Sequence, residues 1–224
     1  MRKRLYLGAA TAAAALAALT ALPASATSAN VLTYGSAGGT AVAAGDVLTA
    51  SLPSGSYATL YSTAAGGTGV KCSSSAFSAT VTSNPTAPGT AVETLNSQTF
   101  GGCSAVNIPG VTGVTSVTVN NLSYTNSVGD GSGNPVTLSP GSAGPIQTTI
   151  KLRTLLGSVT CTYQANPTSL SGTTDNTAQT ISFSNQSFGL SSGPGTCFAA
   201  GYFTAAYGPV QDTSQSGSPS VYVN

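Results

Sequence analysis

The sequence predicts an all-β protein, an antiparallel β-sandwich with two pseudo-repeated halves. Three observations carry this. Beyond residue 26 the chain is rich in Ser and Thr, which fill 62 of 198 positions. Its apolar residues come in short alternating runs bounded by Gly, Pro and Asn, at about ten-residue spacing, the pattern of a sandwich or barrel. Beyond the amino-terminal stretch no segment shows helical periodicity. Disorder pairs low hydrophobicity with high net charge. Here three cations (Lys71, Lys151, Arg153) face five carboxylates (Asp46, Glu93, Asp130, Asp175, Asp212), a net charge of only −2.

The first element is a secretory signal peptide over residues 1–26. Met1-Arg2-Lys3-Arg4 is a cationic start, Leu5 to Leu22 an apolar run, and Pro23-Ala24-Ser25-Ala26 a small-residue cleavage site. This favours removal over a membrane anchor and predicts a mature start at Thr27. Lys3-Arg4-Leu5-Tyr6-Leu7 is similar to a twin-arginine export motif with Lys for the first Arg, so both export routes stay open. No cysteine follows the cleavage site closely, and Ser218 to Asn224 holds no apolar tail or sorting-type ending. Release to the extracellular space, with no membrane partner after cleavage, is expected.

The remaining region, 27–224, supplies the strands. Asp46–Leu52, Tyr57–Tyr61, Gly69–Cys72, Ala76–Val81, Val92–Phe100 and Val114–Val119 form the first series. Ile146–Arg153, Ser158–Tyr163, Ile181–Phe183, Tyr202–Thr204 and Val221–Val223 form the second. Gly66-Gly67, Asn84-Pro85, Asn120-Asn121, Gly131 to Pro135 and Asn166-Pro167 read as turns.

A repeat underlies the two halves, 46–124 and 134–212. Asn84-Pro85-Thr86 matches Asn166-Pro167-Thr168, and Gln98-Thr99-Phe100 matches Gln186-Ser187-Phe188. Cys72 and Cys161 each sit in a strand-like run, and Cys103 and Cys197 each follow a matched phenylalanine. Four cysteines allow three connectivities. The phase of the repeat selects Cys72–Cys103 and Cys161–Cys197. An even cysteine count without a C-x-x-C pair or histidine fits structural disulfides in an oxidising compartment rather than a redox or zinc site.

Chemistry is scarce. The chain has no histidine, the usual proton carrier at neutral pH. No serine lies in G-x-S-x-G and neither lysine beyond residue 26 in S-x-x-K. An N-terminal Thr27 can act as a nucleophile with its own amine, but reads as the scar of cleavage. All five acids read as solvated or turn residues, Glu93 alone lying within a strand-like run, and no motif pairs two of them. The stability is therefore expected to vary little between about pH 5 and 8. Asp130 to Asn134 reads as a hairpin turn rather than a calcium loop, so no metal or cofactor is expected. Lys151-Leu152-Arg153 is too small a patch for nucleic acid. Tyr57 and Tyr61, with Tyr202, Phe203 and Tyr207, are the candidate ligand contacts, although core or cross-strand packing is the favoured reading of both clusters.

The whole chain resembles a group of secreted actinomycete proteins labelled "Tat pathway signal sequence domain protein". The likeness rests on the signal peptide, Val31-Leu32-Thr33-Tyr34-Gly35, Gly69-Val70-Lys71-Cys72, Pro145 to Thr149, Gly201-Tyr202-Phe203 and Val223-Asn224. It implies a secreted, β-rich bacterial protein and carries no catalytic motif. The reading is a non-enzymatic secreted protein with a structural or interaction role at the cell surface and an extracellular or cell-wall partner. The alternative is a module binding a carbohydrate or small apolar ligand, favoured by an apolar pocket or exposed aromatic strip. A histidine-independent hydrolase is third.

Overall fold

The computed structural model describes residues 29–224, so the signal peptide, its cleavage site and Thr27 lie outside the described residues. The described chain is all β. In order, the strands are β1 (Leu32–Tyr34), β2 (Thr40–Ala41), β3 (Val47–Ser51), β4 (Ala58–Tyr61), β5 (Gly69–Ser83) and β6 (Thr90–Val106). There follow β7 (Val111–Asn120), β8 (Tyr124–Gly129), β9 (Pro135–Ser139), β10 (Gln147–Thr154) and β11 (Gly157–Ala165). The last are β12 (Leu170–Asp175), β13 (Thr180–Ser192), β14 (Ala200–Tyr207), β15 (Gln211–Asp212) and β16 (Val221–Val223).

Eight strands close a ring in the order β4-β5-β6-β8-β9-β12-β13-β14, with β14 returning to β4. Every pairing in it is antiparallel. From β13 a branch runs through β11 and β10 to β7. β3 lies on the second half of β5 and carries β15, while β16, β1 and β2 form a separate small sheet.

The antiparallel all-β expectation holds, but a closed barrel with extra strands stands where a sandwich was expected. The strands that close it are the ones the apolar pattern hides. β8 buries Tyr124, Asn126 and Val128, with an amide at its centre, and β12 fully buries only Leu170. Closure removes the free edges that a sandwich leaves. The two runs expected at Gly69–Cys72 and Ala76–Val81 are one strand, β5. Its buried positions change parity, from Val70 and Cys72 to Ser75, Ala79 and Val81, across the exposed Ser73-Ser74. A strand whose inward face switches reads in sequence as two strands with a gap.

The matched segments lie in only partly similar surroundings, since β5 and β6 are consecutive ring strands while β11 lies on the branch and β12 intervenes before β13. Asn84-Pro85 follows β5 and Asn166-Pro167 follows β11, while the Gln-Thr/Ser-Phe segments lie in β6 and β13. Each β5/β6 and β11/β13 pair is an antiparallel ladder. Cys72 and Cys103 are opposite residues of the first ladder and are disulfide-bonded. Cys161 on β11 bonds Cys197, which lies beyond β13. The second bridge needs Gly193, since a Cβ there would meet the Cys197 Sγ at 2.5 Å. With sequence separations of 31 and 36 residues, each bridge stabilises the fold by roughly 3–4 kcal/mol through loop closure. Both fit an oxidising, extracellular setting. Among the described residues no helix is long and apolar enough to cross a membrane.

Two apolar clusters fill the interior. One gathers residues such as Leu95, Tyr124, Ile150 and Phe188, the other Leu48, Val81, Val128 and Tyr207. Phe77, Phe100, Phe183 and Phe203 pack against both. At this seam the two cores do not close on each other.

Candidate functional site

The seam holds a cavity, partly open to solvent, with room for the centres of water-sized spheres over ≈ 120 Å³. A single buried water needs only about 10–15 Å³ on such a measure, so this space suits a small organic molecule. All four seam phenylalanines line it, together with Phe188, Leu60, Leu95 and Ile150. Phe203 is the hub. Phe100 and Phe188, the matched phenylalanines of the two repeats, both meet its ring edge-to-face, at 6.3 Å and 6.4 Å.

Strand parity decides what enters. On β6, Ala91, Glu93 and Leu95 are buried in alternation. The ladder with β5 then slips by one residue, Ser78 pairing Ser97 and Ala79 pairing Leu95. This bulge at Asn96 transfers the inward face to Gln98 and Phe100. One strand thus delivers both a carboxyl and an amide to the cavity wall.

Glu93 is 3% exposed. Directly opposite it on β8 stands Asn126, whose Nδ2 donates to Glu93 Oε2 at 2.8 Å. Desolvation pushes the Glu93 carboxyl above its ordinary range, and the Asn126 hydrogen bond only partly offsets this. Among the described residues no other side chain donates to it. The sequence reading of Glu93 as solvated is therefore corrected, although its parity with Ala91 and Leu95 was a usable signal.

A second polar group is self-contained. Tyr207 Oη lies 3.0 Å from Ser75 Oγ, and Gln98 Nε2 donates to both, at 3.1 Å and 2.7 Å. Ser75 donates to the Thr99 carbonyl at 2.7 Å. Burial pushes Tyr207 up to about 12, against its hydrogen bonds with Ser75 and Gln98. Tyr124 Oη donates to the Asn120 carbonyl and accepts from Gln147 N at 3.0 Å. Burial holds this phenol, too, above its ordinary value. With their valences met, these groups shape the wall; among the described residues Glu93 has Asn126 as its one side-chain donor.

The aromatic residues singled out in the sequence divide between two faces. Phe203 and Tyr207 enter the cavity wall. Tyr202 alternates outward and pairs with Tyr61 on β4, while Leu60 and Phe203 pair on the inside. Tyr57, 47% exposed, precedes β4, and the Lys71 ammonium sits over its ring at 4.8 Å. Cys72 also lines the cavity, whereas Cys161 and Cys197 lie in the core away from it.

One carboxylate pair was not legible in the sequence. Pairing of β15 with β3 brings Asp212 to Asp46. Asp212 is fully buried. Its carboxyl is held above the ordinary value first by desolvation, against a Ser214 backbone hydrogen bond and with the charge of Asp46 adding to the rise. Neither acid lines the cavity. Of the remaining aspartates, Asp175 holds its own turn, accepting from Thr177 N at 2.7 Å, whereas Asp130 accepts from the distant Gly89 N at 3.0 Å and ties two loops together. Among the described residues no three metal-ligating side chains cluster. No protein-family model, curated protein or solved structure matches the chain.

Proposed function

We propose that the protein is a secreted, non-enzymatic binding protein that holds a small, largely apolar molecule inside its barrel. The observation that supports this is the phenylalanine-lined cavity at the seam of two cores, with a few convergent polar groups, the general form of a small-molecule site. A fold selected only for cell-surface structure would gain stability by filling that space, since empty interior volume costs packing energy. Catalysis has less support: Glu93 is the one carboxyl on the wall, and the paired acids lie elsewhere. The cleavable signal peptide and the resemblance to exported actinomycete proteins fit release from the cell.

Thermal unfolding with ethylbenzene as probe tests the reading. Saturating ligand at one hundred times its Kd stabilises the folded state by about 2.7 kcal/mol, which raises Tm by several degrees. Ala79→Leu, which adds bulk to the wall, should abolish this response. An unchanged Tm for the parent protein refutes ligand binding in the cavity.

The outward tyrosines favour a second reading. Tyr57, Tyr61 and Tyr202 lie on one outer face beside Lys71 and offer rings for stacking on sugar. Retention on insoluble polysaccharide, lost in Tyr57→Ala and Tyr202→Ala, would support it.

A further inference from the structure

We propose that the cavity selects a small organic cation, an ammonium group on an apolar body, with its charge at Glu93 and its body among the phenylalanine rings. This rests on the reading of the cavity as a ligand site.

The sign of the charge follows from the wall. Among the described residues Glu93 is the only acidic or basic side chain lining it. The cations of the described chain are elsewhere: Lys71 covers Tyr57, and Lys151 and Arg153 are exposed on β10. Among the described residues no cation completes an ion pair with Glu93. Packing alone does not call for a carboxyl here, because its neighbours on the same face, Ala91 and Leu95, are apolar. Burying an unpaired carboxyl is costly. Asn126 supplies one hydrogen bond, to Oε2, and among the described residues no other side chain donates to the carboxyl that lines the cavity. A ligand ammonium would supply the missing partner.

The rest of the wall suits the same ligand. Faces of Phe and Tyr rings attract cations through their quadrupole, most strongly where water is excluded. Phe77 meets Tyr207 at 5.5 Å and 75°, and Phe203 meets Phe100 and Phe188 in similar edge-to-face fashion. Rings set at steep angles to one another present faces in several directions. An anionic ligand would find no cationic side chain on this wall among the described residues, and a neutral donor would gain no attraction between opposite charges.

Occupancy is linked to protonation. The titratable groups around Glu93 are Tyr124 on β8, Tyr207 on β14 and Asp175 at the end of β12, which shares a smaller hollow with it. β5 presents Val81 opposite Glu93, and β13 presents Ile181 and Phe183. The tyrosines titrate far above neutrality, and Asp175 is tied to its turn by two backbone donors. Glu93 is therefore the group whose proton the cation displaces, and cation affinity should climb with pH through its raised range.

Calorimetric titration with benzylammonium and with ethylbenzene, its uncharged isostere, tests this. At pH 8 the cation should bind about tenfold more tightly than the hydrocarbon. At pH 5 the advantage should shrink, and binding in buffers of different ionisation enthalpy should report proton release. Glu93→Gln should lose the preference for the cation while keeping its ethylbenzene affinity. Should Glu93→Gln not fold, proton release by the parent protein decides the question. Equal affinity for both probes, or a preference unchanged in Glu93→Gln, overturns the cation assignment and leaves the cavity reading intact. Failure of both probes to bind overturns both.

Discussion

The carboxyl of Asp212 is buried against that of Asp46, joining β15 to β3 through two acids rather than an acid and a base. Asp212 Oδ1 accepts from Ser214 N at 3.0 Å, while its Oδ2 has no donor among the described residues. Asp46 Oδ2 accepts from Ala43 N at 2.8 Å and from Gln215 Nε2 at 3.3 Å. Protonation of Asp212, which desolvation favours, would let Oδ2 donate towards Asp46.

This pair and Glu93 replace the expected flat pH profile with a slope. Folding raises the pKa of both Asp212 and Glu93, so the folded chain holds their protons more tightly than the unfolded chain. Their contribution is fully present below the unfolded values near pH 4 and is lost as pH rises through the raised folded values. The urea midpoint should therefore be higher at pH 4.5 than at pH 7.5. A midpoint that rises with pH across this window contradicts the assignment.

Asp212→Asn should raise stability at pH 7.5 by about 1–2 kcal/mol. The amide oxygen keeps the bond from Ser214 N, and the amide nitrogen can donate towards Asp46. The pH slope should flatten in the same variant. Urea melts read both, with the m-value unchanged if only stability moves. A loss of stability at pH 7.5 would show that the second carboxyl oxygen has another partner.

Where residues alternate cleanly, the sequence made the structure legible. Gly157 to Ala165 was readable because Val159, Cys161, Tyr163 and Ala165 alternate with polar residues, and Ile150, Leu152 and their charged neighbours did the same for β10. Barrel closure was not, because β8 and β12 place Asn126 and Thr174 where a pattern reader wants apolar residues. The candidate site failed for a related reason. Tyr202, Phe203 and Tyr207 are one cluster in sequence, yet parity sends Tyr202 out and the other two in. Glu93 lies in a readable strand, but its burial depends on Asn126, which only the register of β6 with β8 brings opposite. Asp46 and Asp212 are 166 positions apart, and nothing local foretells their contact.

Replacing Cys161 and Cys197 together by Ser should cost about 3 kcal/mol, while leaving the cavity wall untouched. Replacing Cys72 and Cys103 by Ala should cost a similar amount and also alter probe binding, because Cys72 lines the cavity. Ethylbenzene titration of the two double variants separates the effects. Equal probe affinity in both would show that Cys72 does not shape the wall.

The turn between β10 and β11 carries Leu155 and Leu156, 86% and 101% exposed. They form the two-residue loop between the paired Thr154 and Gly157. Such loops usually hold Gly, Asn or Asp, and neither leucine occupies a positive-φ position among the described residues. The turn is held instead by Thr154 Oγ1, which donates to the Gly157 carbonyl at 3.0 Å and accepts from Leu156 N at 3.3 Å. The leucine side chains thus contribute neither packing nor turn geometry. Leu155→Ser with Leu156→Asn should change stability by no more than about 0.5 kcal/mol. Removing two adjacent exposed leucines should also reduce self-association at high concentration. Urea melts and sedimentation velocity check the two halves of this expectation. A large loss of stability would mean that the leucines pack in solution, and undiminished self-association would place the sticky surface elsewhere.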